Sequence, residues 1–572
     1  MKKILSLIFA VASFSIAMAQ PMSQPGEGSS WQHTITGVLD ASDVNRTAPV
    51  AITGDGDVYA TGRFNQLIAT ENLFLEPIAQ SAYVIKYDKN GNEIWGVALA
   101  GSATIKSIVT DADENVYVAG TMADQVVFNT TSGESVTLSG AIDEWGDYVT
   151  TQTTSFIAKY NAEGVLQVAK AFVPARHPDV NGMKDDIMGP YYFPEEDGSF
   201  KINALATDGN KVYASANYCG QTDVEGLTFT GSLINIYFFM IDNLKSGAVF
   251  SLSADKLDNA ELIADFNSSE SLTYDLAYNI TSINFTLNEN TVYAGAIGQG
   301  NITMTTPAGK ENFEFVLPGD GSAEYGHIIA AINGQDVSFK TYAAPANYET
   351  SKESIDNMQV YGNALYIAGV FNNILAFNNN KVSTNNTDLY VVALNKETLD
   401  CGGAWVSGYD EQETNKNQEI FTSMIVADGD IYLNGYNEQI SGHAIVNNLS
   451  FIIDETGING GNAETLITGA AKNETSLVFA GINDYKSTVY YYNNVLTDIE
   501  TAKTTGTTTI QYAQGELLFS ETCDVELWSM QGYIVRCAYG VTALNVNHLS
   551  KGCYIVKAKT ANSTTTYKFA KK

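Results

Sequence analysis

The chain has 572 residues, 45% of them hydrophobic, and carries 31 Lys and Arg against 64 Asp and Glu, a formal net charge of −33. This apolar share is that of a globular protein rather than a disordered one. The acidic balance disfavours a nucleic-acid partner, because phosphate binding requires Lys and Arg on the contact surface, and it disfavours adhesion to anionic membranes.

Residues 1–20 are predicted to be a secretory signal peptide. Lys2 and Lys3 precede a short apolar run, and Ala17-Met18-Ala19 provides a small-residue cleavage site. A buried N-terminal helix is the alternative interpretation. The run is too short for a membrane span and no later stretch reaches 18 apolar residues, so we expect no integral membrane segment.

One pattern recurs seven times within residues 29–496: an apolar run, a polar turn and a strand that resembles Val-Tyr-x-x-Gly. Its aromatic positions are Tyr59, Tyr117, Tyr213, Tyr293, Tyr366, Tyr432 and Phe479. Each copy is typical of a β-hairpin. A second hairpin follows most copies, at 83–95, 156–166, 237–251, 328–342 and 390–405.

Four antiparallel strands repeated seven times predict an all-β fold, a seven-bladed β-propeller. We expect the aromatic positions to pack between adjacent blades. A row of separate β-sandwiches is the alternative, but it would not keep the hairpin in one phase. The repeats resemble those of bacterial seven-bladed propellers with the theme Asp-x-x-Gly-Asn-x-Tyr-x-x-Gly. That resemblance implies a fold and leaves the function open.

The ring is predicted to be closed by the N-terminal part of the chain. The last repeat supplies only three strands, the third at 487–493, and the segment 31–37 precedes the first repeat without a blade of its own. Since an unclosed propeller would expose two strand edges, we expect these segments to pair as the outer strands of blade seven.

The predicted insertions fall on one face of the propeller. With strands named A to D from the axis outward, the A–B and C–D connections are short. The B–C and D–A connections are long, and they include 123–154, 173–202, 220–235, 253–281, 299–326 and 372–388. We call their side the long-loop face and the opposite side the short-loop face. Long loops in a compact domain are often functional, so the long-loop face is the predicted binding face.

The loop 174–200 combines carboxylates with aromatic residues. Its candidate binding residues are His177, Asp179, Asp185, Asp186, Tyr191 and Tyr192. The carboxylates could bind Ca²⁺, the only cofactor that the sequence suggests, and the aromatic rings could stack on a sugar or a peptide. A solvated acidic loop without a ligand is the alternative.

Other chemical motifs give little support for catalysis or a metal site. The segment 111–115 and the triplet 55–57 imitate the start of a calcium loop, but Met122 stands where the twelfth-position Glu would be, so Asx-type hairpin turns are expected. The five His show no metal-ligand spacing, and nucleophile-elbow, P-loop and His-Glu-x-x-His motifs are absent. A catalytic triad or carboxylate pair assembled in space stays open.

The C-terminal part differs in charge from the rest. Residues 503–572 carry eight basic and four acidic residues, whereas 21–502 carry 21 basic and 60 acidic ones. A Thr-rich linker is predicted at 497–509, followed at 510–572 by a small Ig-like β-sandwich of seven short strands. Five Cys leave at least one thiol unpaired. Cys523 and Cys537 either form a disulfide or remain buried thiols like the others.

The C-terminal sequence resembles a known sorting domain. The segments 525–532 (Val-Glu-Leu-Trp-Ser-Met-Gln-Gly) and 549–556 (Leu-Ser-Lys-Gly-Cys-Tyr-Ile-Val) and the terminal Lys571-Lys572 are similar to the type A sorting domain of the type IX secretion system. The resemblance covers residues 503–572 and departs from the family at Cys553. It implies partnership with the type IX machinery and a Bacteroidetes-type route to the medium or the outer cell surface. An ordinary Ig-like domain is the alternative.

Three functional hypotheses follow. The first is a secreted or surface-attached propeller that binds an extracellular protein, peptide or glycan through its long-loop face. The second is a secreted hydrolase or lyase that uses the same face, which we expect less than the first. The third is a structural component of the cell surface. Two or three carboxylates, or a His with a carboxylate, that converge at the axial pocket would favour the enzyme. A face of aromatic and amide groups without a convergent acid pair would favour binding.

Overall fold

The computed structural model describes most of the chain outside the two termini. The described residues are 29–38, 48–142, 153–175, 198–231, 246–268, 280–315, 325–343, 353–377, 380–407, 417–427, 429–439, 445–454, 457–483, 486–493, 510–513, 516–529, 534–546, 549, 552–560 and 564–571.

The regular elements among these residues are β-strands, and the first 33 form a seven-bladed propeller. The described strands begin with β1 (Trp31–Thr36), which belongs to the last blade. Blades one and two and their additional strands consist of β2 (Val50–Ile52), β3 (Val58–Phe64), β4 (Ile68–Ala69), β5 (Phe74–Leu75), β6 (Ser81–Tyr87), β7 (Glu93–Thr110), β8 (Val116–Asn129), β9 (Ser135–Ser139), β10 (Thr154–Tyr160) and β11 (Leu166–Phe172). Blades three and four consist of β12 (Ser199–Thr207), β13 (Lys211–Cys219), β14 (Gln221–Val224), β15 (Leu227–Thr230), β16 (Ser246–Ser253), β17 (Glu261–Ser268), β18 (Ile280–Asn288), β19 (Thr291–Thr306), β20 (Gly309–Phe315), β21 (Tyr325–Asn333) and β22 (Asp336–Ala343).

The last three blades consist of β23 (Asn357–Tyr361), β24 (Ala364–Phe377), β25 (Asn380–Asn395), β26 (Cys401–Val406), β27 (Asn417–Ala427), β28 (Asp430–Gln439), β29 (Ile445–Asp454), β30 (Gly457–Ala463), β31 (Leu466–Lys472), β32 (Leu477–Asn483) and β33 (Lys486–Tyr492). The A strands in blade order are β2, the second part of β7, β12, β18, β23, β27 and β31, and each pairs with the antiparallel B strand that follows it.

The predicted closure of the ring is confirmed. β1 pairs antiparallel with β33, from Trp31 opposite Tyr491 to Thr36 opposite Lys486, and forms the outer strand of blade seven. The indole of Trp31 stacks on the ring of Tyr491 at 5.0 Å and donates a hydrogen bond to the Lys89 carbonyl of blade one. The two ends of the propeller are therefore joined within one sheet.

The aromatic positions of the repeat pack between blades as predicted. Tyr59 of blade one is buried in the hydrophobic cluster of blade two, and its hydroxyl donates to the Glu114 carbonyl in the next A–B turn. Tyr117 of blade two is buried against blade three and donates to the Ala254 carbonyl. These two rings therefore each contribute apolar burial and a directed bond to the next blade.

The glycine of the repeat is explained by an irregularity of the A strand. In blade two Ile105 faces Gly120 and Ser107 faces Ala119, so Lys106 is the extra residue of a β-bulge. A Cβ atom at Gly120 would collide with the carbonyl oxygen of Thr104. Gly369 and Gly435 meet the A strands of blades five and six in the same way.

One predicted hairpin and several predicted loops are wrong in detail. The C–D hairpin of blade three lies at β16–β17, not at 237–251, so the connection predicted at 253–281 contains the outer strand β17. The B–C connections of blades one to four contain the additional strands β4–β5, β9, β14–β15 and β20, and that of blade five extends β24 and β25.

These B–C hairpins also contact the preceding blade. Leu99–Gly101 at the outer strand of blade one pairs with Val126–Phe128 of blade two, and β17 of blade three pairs with β19 of blade four. In blades one and three the contact with the preceding blade is a single β-bridge, Val38 to Phe64 and Ala175 to Gln221 respectively. The long B–C connections therefore have a structural role in pairing neighbouring blades, and their length alone does not indicate a binding function.

The C-terminal residues form five described strands rather than the seven predicted. They are β34 (Ile510–Ala513), β35 (Glu516–Ser529), β36 (Ile534–Asn545), β37 (Gly552–Lys559) and β38 (Thr564–Lys571). β35 and β36 each join two predicted short strands through irregular pairing, and β35 also pairs with β34 and β37. Leu517, Val525 and Val556 are buried in one cluster. The Ig-like sandwich stays a prediction.

Two further sequence expectations can be compared with the described residues. Cys523 is a buried free thiol, so the predicted alternative of a Cys523–Cys537 disulfide is wrong and the buried-thiol interpretation holds for Cys523. Within the part of the chain that the structure describes, no helix has the length and apolar character needed to cross a membrane.

Candidate functional site

The binding loop predicted from the sequence lies outside the described residues. This applies to His177, Asp179, Asp185, Asp186, Tyr191 and Tyr192, which all fall within 176–197. Their role stays a prediction.

The first calcium-like segment forms the expected Asx-type turn, and the second forms a turn around a Thr side chain. The Asp111 carboxylate accepts hydrogen bonds from the backbone N–H groups of Asp113 at 3.0 Å and Asn115 at 2.9 Å. Its second oxygen accepts from the Asn115 amide and the Tyr117 hydroxyl. In the other segment the Asp57 N–H donates to the Thr53 hydroxyl. Among the described residues, no group of three or more His, Cys, Asp and Glu is placed to hold a metal ion.

A channel of about 770 Å³ runs between the A strands at the centre of the ring. Each A strand begins at the long-loop face, because a D–A connection precedes it, and ends at an A–B turn. Polar lining residues such as Lys201 and Ser282 stand near the starts of their strands. Apolar ones such as Val109, Phe285 and Met424 stand nearer the ends. The half of the channel toward the long-loop face is therefore the more polar half.

A set of bulges places polar side chains at this level of the channel. The extra residues in blades two, three, six and seven are Lys106, Asn203, Thr422 and Thr468, each directly after the last residue of the regular pairing. In blade five two residues lie opposite Ala368, as in a bulge: Asn357 faces it in the strand pairing, and the Asp356 N–H donates to its carbonyl. Asp356 therefore holds the equivalent position. We call Lys106, Asn203, Asp356, Thr422 and Thr468 the bulge ring.

Side-chain hydrogen bonds from the inner strands and their turns, some of them from lining residues, connect each blade to the next. In blade order they are Thr110 to the Ile52 carbonyl, the Leu205 N–H to the Ser107 hydroxyl, Asn203 to the Ile283 carbonyl, Asn284 to the Asp356 carbonyl, Gln359 to the Met424 carbonyl, Thr422 to the Ile467 carbonyl and Asn473 to the Thr53 carbonyl. Several amide and hydroxyl groups of the channel are therefore committed to holding the ring.

The charged side chains of the described lining are Lys106, Lys201 and Asp356. Asp356 is reached by water from the channel, but protein surrounds it on all sides, and this enclosure raises the pKa of its carboxyl group to about 6. The Ser354 hydroxyl, which donates to Asp356, and the charge of Lys201 act in the opposite direction. The carboxylate and the Lys201 ammonium therefore influence each other within one channel.

A buried contact between a histidine and a glutamate lies beside the channel, between blades four and five. His327 Nε2 is 2.8 Å from Glu353 Oε2, and both side chains are 1% exposed. The His327 ring contacts Phe377 at 4.7 Å. Burial, followed by the nearby Glu353 and Asp356 charges, raises the pKa of Tyr390 well above its usual value, and its hydroxyl donates to the Ser354 carbonyl at 2.8 Å. These contacts fix the segment that carries Asp356.

The sequence interpretation missed the bulge ring. It treated the A strands as apolar runs and looked for chemistry in the connections. A usable signal was present in three blades, since Ile105-Lys-Ser, Ile355-Asp-Asn and Phe421-Thr-Ser share a polar pair after an apolar residue, whereas Ile202-Asn-Ala has a single polar residue there. Two successive polar positions interrupt the alternation that a regular strand requires.

Comparison with known proteins accounts for the C-terminal residues. Residues 504–572 match the family described as secretion system C-terminal sorting domain. The chain is a β-propeller with a type IX sorting domain. The sorting domain indicates export to the cell surface or secretion by the type IX route. The last described residue of the propeller, Asn493, lies at the short-loop face, so the segment that leads to the sorting domain starts opposite the polar half of the channel.

Relatives of the propeller are distant. An uncharacterised WD repeat-containing protein of Acanthamoeba polyphaga mimivirus is 32% identical over 99 residues, which are 15% of this chain and 7% of that protein. The chain thus matches a small fraction of that relative's length.

Solved propellers are similar at low identity. The Dos1 propeller is 8% identical with a TM-score of 0.38, covering 82% of this chain and 97% of that one. The β-propeller domain of the Trilobed protease from Pyrococcus furiosus is 9% identical with a TM-score of 0.33, covering 79% and 96%. Because these scores are low, the fold assignment rests on the strand pairing described above.

Proposed function

We propose that this exported propeller binds an extracellular protein, peptide or glycan at its long-loop face, with the central channel as part of the site. The observation that carries the proposal is the polar half of the channel, which lies toward the long-loop face and is lined by amide, hydroxyl, ammonium and carboxylate groups. Pockets of several hundred Å³ with a few placed polar groups are the usual form of a ligand site.

The charge of the lining favours binding over acid–base hydrolysis. Asp356 is the one carboxylate among the described lining residues, and glycoside hydrolysis commonly uses a pair. The position of Asn493 adds support, because a chain held at the cell surface through its C-terminal segment would keep the long-loop face accessible.

The test uses glycan and peptide arrays with the full chain and two matched variants. Thr153→Trp places a large ring at the long-loop end of the channel, where Thr153 lines it. Asn210→Trp places the same ring on an exposed turn of the short-loop face. We expect array ligands of the wild type to be lost in the first variant and kept in the second.

Equal binding by both tryptophan variants, or no array ligand for the wild type, would contradict the proposal. Thermal unfolding of both variants shows that a loss of binding does not result from a loss of fold.

A further inference from the structure

The charge of the described channel lining is opposite in sign to that of residues 21–502. Residues 21–502 carry 21 basic and 60 acidic residues. The described channel lining carries two lysines and one aspartate, a local excess of one positive charge. A field of this sign inside an acidic protein attracts anions at short range only, where the local charges outweigh the distant ones.

The two lysines belong to neighbouring blades and to the same half of the channel. Lys106 is the extra residue of the bulge in blade two, and Lys201 lies two residues before the corresponding bulge residue, Asn203, in blade three. Lys201 is exposed to the channel although it lies on an inner strand. Asp356 of blade five stands at the bulge level on another side of the axis, so the channel has a basic side and an acidic one.

A bound cation would be repelled by two ammonium groups, whereas a ligand carboxylate would be stabilised by them. A hydrogen-bond donor elsewhere on the same ligand could bind the Asp356 carboxylate. The lining hydroxyl and amide groups suit a ligand with further hydrogen-bonding groups. The volume of about 770 Å³ is sufficient for a molecule of one to a few rings or residues.

We propose that the channel binds a small ligand through a carboxylate held by Lys106 and Lys201 and a hydroxyl or ammonium donor held by Asp356. This inference rests on the proposed function and specifies the chemistry of its ligand. The group can come from a sugar acid or from the end of a peptide, and the two sources are separated by the choice of probe.

The experiment is titration calorimetry of the full chain with three probes. D-galacturonate and D-galactose differ at one carbon, which carries a carboxylate in the first and a hydroxymethyl group in the second. Glycylglycine represents a peptide end. We expect galacturonate to bind at least about tenfold more tightly than galactose if sugar acids are the source, and glycylglycine to bind more tightly than galactose if peptides are.

Variants assign the binding to the lysines. Lys201→Gln and Lys106→Gln should each weaken the bound carboxylate probe by about tenfold or more, because each removes one ammonium group from the channel. Lys256→Gln, the same charge change on an exposed turn of the short-loop face, should leave the affinity unchanged.

Failure of this inference differs from failure of the proposed function. If neither carboxylate probe binds, or if Lys201→Gln and Lys256→Gln bind a probe equally, the carboxylate assignment is overturned. If, in addition, array ligands are lost in Thr153→Trp but kept in Lys106→Gln and Lys201→Gln, the channel binds a neutral ligand and the proposed function stands without this chemistry.

Discussion

Single side chains organise the turns and edges of this propeller, and Asp111 is the clearest case. Its carboxylate accepts two backbone and two side-chain hydrogen bonds in the A–B turn of blade two. Comparable turns form around Asp88, Asn161 and Asp208. The sequence pattern predicted these turns because short polar side chains bond the backbone two to four residues ahead.

Replacing Asp111 by Ala should lower the free energy of unfolding by about 1–3 kcal/mol, because backbone N–H groups lose a charged acceptor. Asp111→Asn, which keeps one acceptor oxygen, should lose less. Asp113→Ala, at an exposed position of the same turn, is the control and should change stability little. Urea denaturation measures all three, and equal losses in the Asp111→Ala and Asp113→Ala variants would contradict the assignment.

Asp265 gives the propeller a pH dependence of known sign. Burial raises the pKa of its carboxyl group from 3.8 to about 6, although hydrogen bonds from Tyr218 and Asn267 and the charge of Lys310 act against this. The folded state therefore binds the proton more tightly than the unfolded state. The resulting stabilisation is complete below pH about 4 and is lost as the pH rises to about 6.

Asp265→Asn should remove this loss, and we expect the change in unfolding free energy between pH 4 and pH 7 to shift by about 1–3 kcal/mol in favour of pH 7. The readout is the slope of stability against pH, which a uniform loss of packing does not alter. Asp223→Asn, on an exposed hairpin, should keep the wild-type slope. The same slope in Asp265→Asn would show that this carboxyl group does not control it.

At the scale of strands, bulge and glycine form one unit. The extra residue of the A strand brings a carbonyl oxygen toward the B strand, and Gly120, Gly369 and Gly435 leave room for it. The sequence predicted the hairpins from the recurring tyrosine and glycine, since both recur in phase. It could not predict the bulges or the B–C hairpins, because their pairing partners lie on other strands and other blades.

Gly369→Ala should destabilise the propeller by about 1–3 kcal/mol, because the added methyl group meets the Ser354 backbone, which cannot move without disturbing the bulge. Gly54→Ala is the matched control, since a Cβ atom there has open space and the backbone is not left-handed. Denaturant midpoints of the two variants should differ clearly. A loss at position 54 as large as that at 369 would refute the steric explanation.

At the scale of the whole molecule, the closure by β1 was predictable from a count of strands. Blade seven lacked a fourth strand, and the N-terminal segment was a strand without a blade of its own. A chain that begins at residue 38 should melt at a lower temperature than one that begins at residue 29, because β33 would become an unpaired edge. The chain that begins at residue 29 also lacks residues 1–28 but keeps β1, so it serves as the control. Equal melting temperatures would contradict the stabilising role of the closure.

Removal of residues 503–572 should leave a folded propeller inside the cell envelope, because the matched sorting domain is lost. Fractionation of cells that produce the full and shortened chains measures this, and thermal unfolding confirms that the shortened chain is folded. Normal release of the shortened chain would overturn the sorting role of this segment.

The closure of the ring also determines when folding can finish. Thr34 and Thr488 bond side chain to side chain across 454 positions of the sequence. Chain entropy adds only about 0.6 kcal/mol for each doubling of such a loop, so the distance costs little at equilibrium. The separation in sequence instead affects the folding rate, because contacts between residues that are remote in sequence form slowly. The first described strand of the ring pairs with its last strand, so the propeller can reach its native state only after both strands have been synthesised.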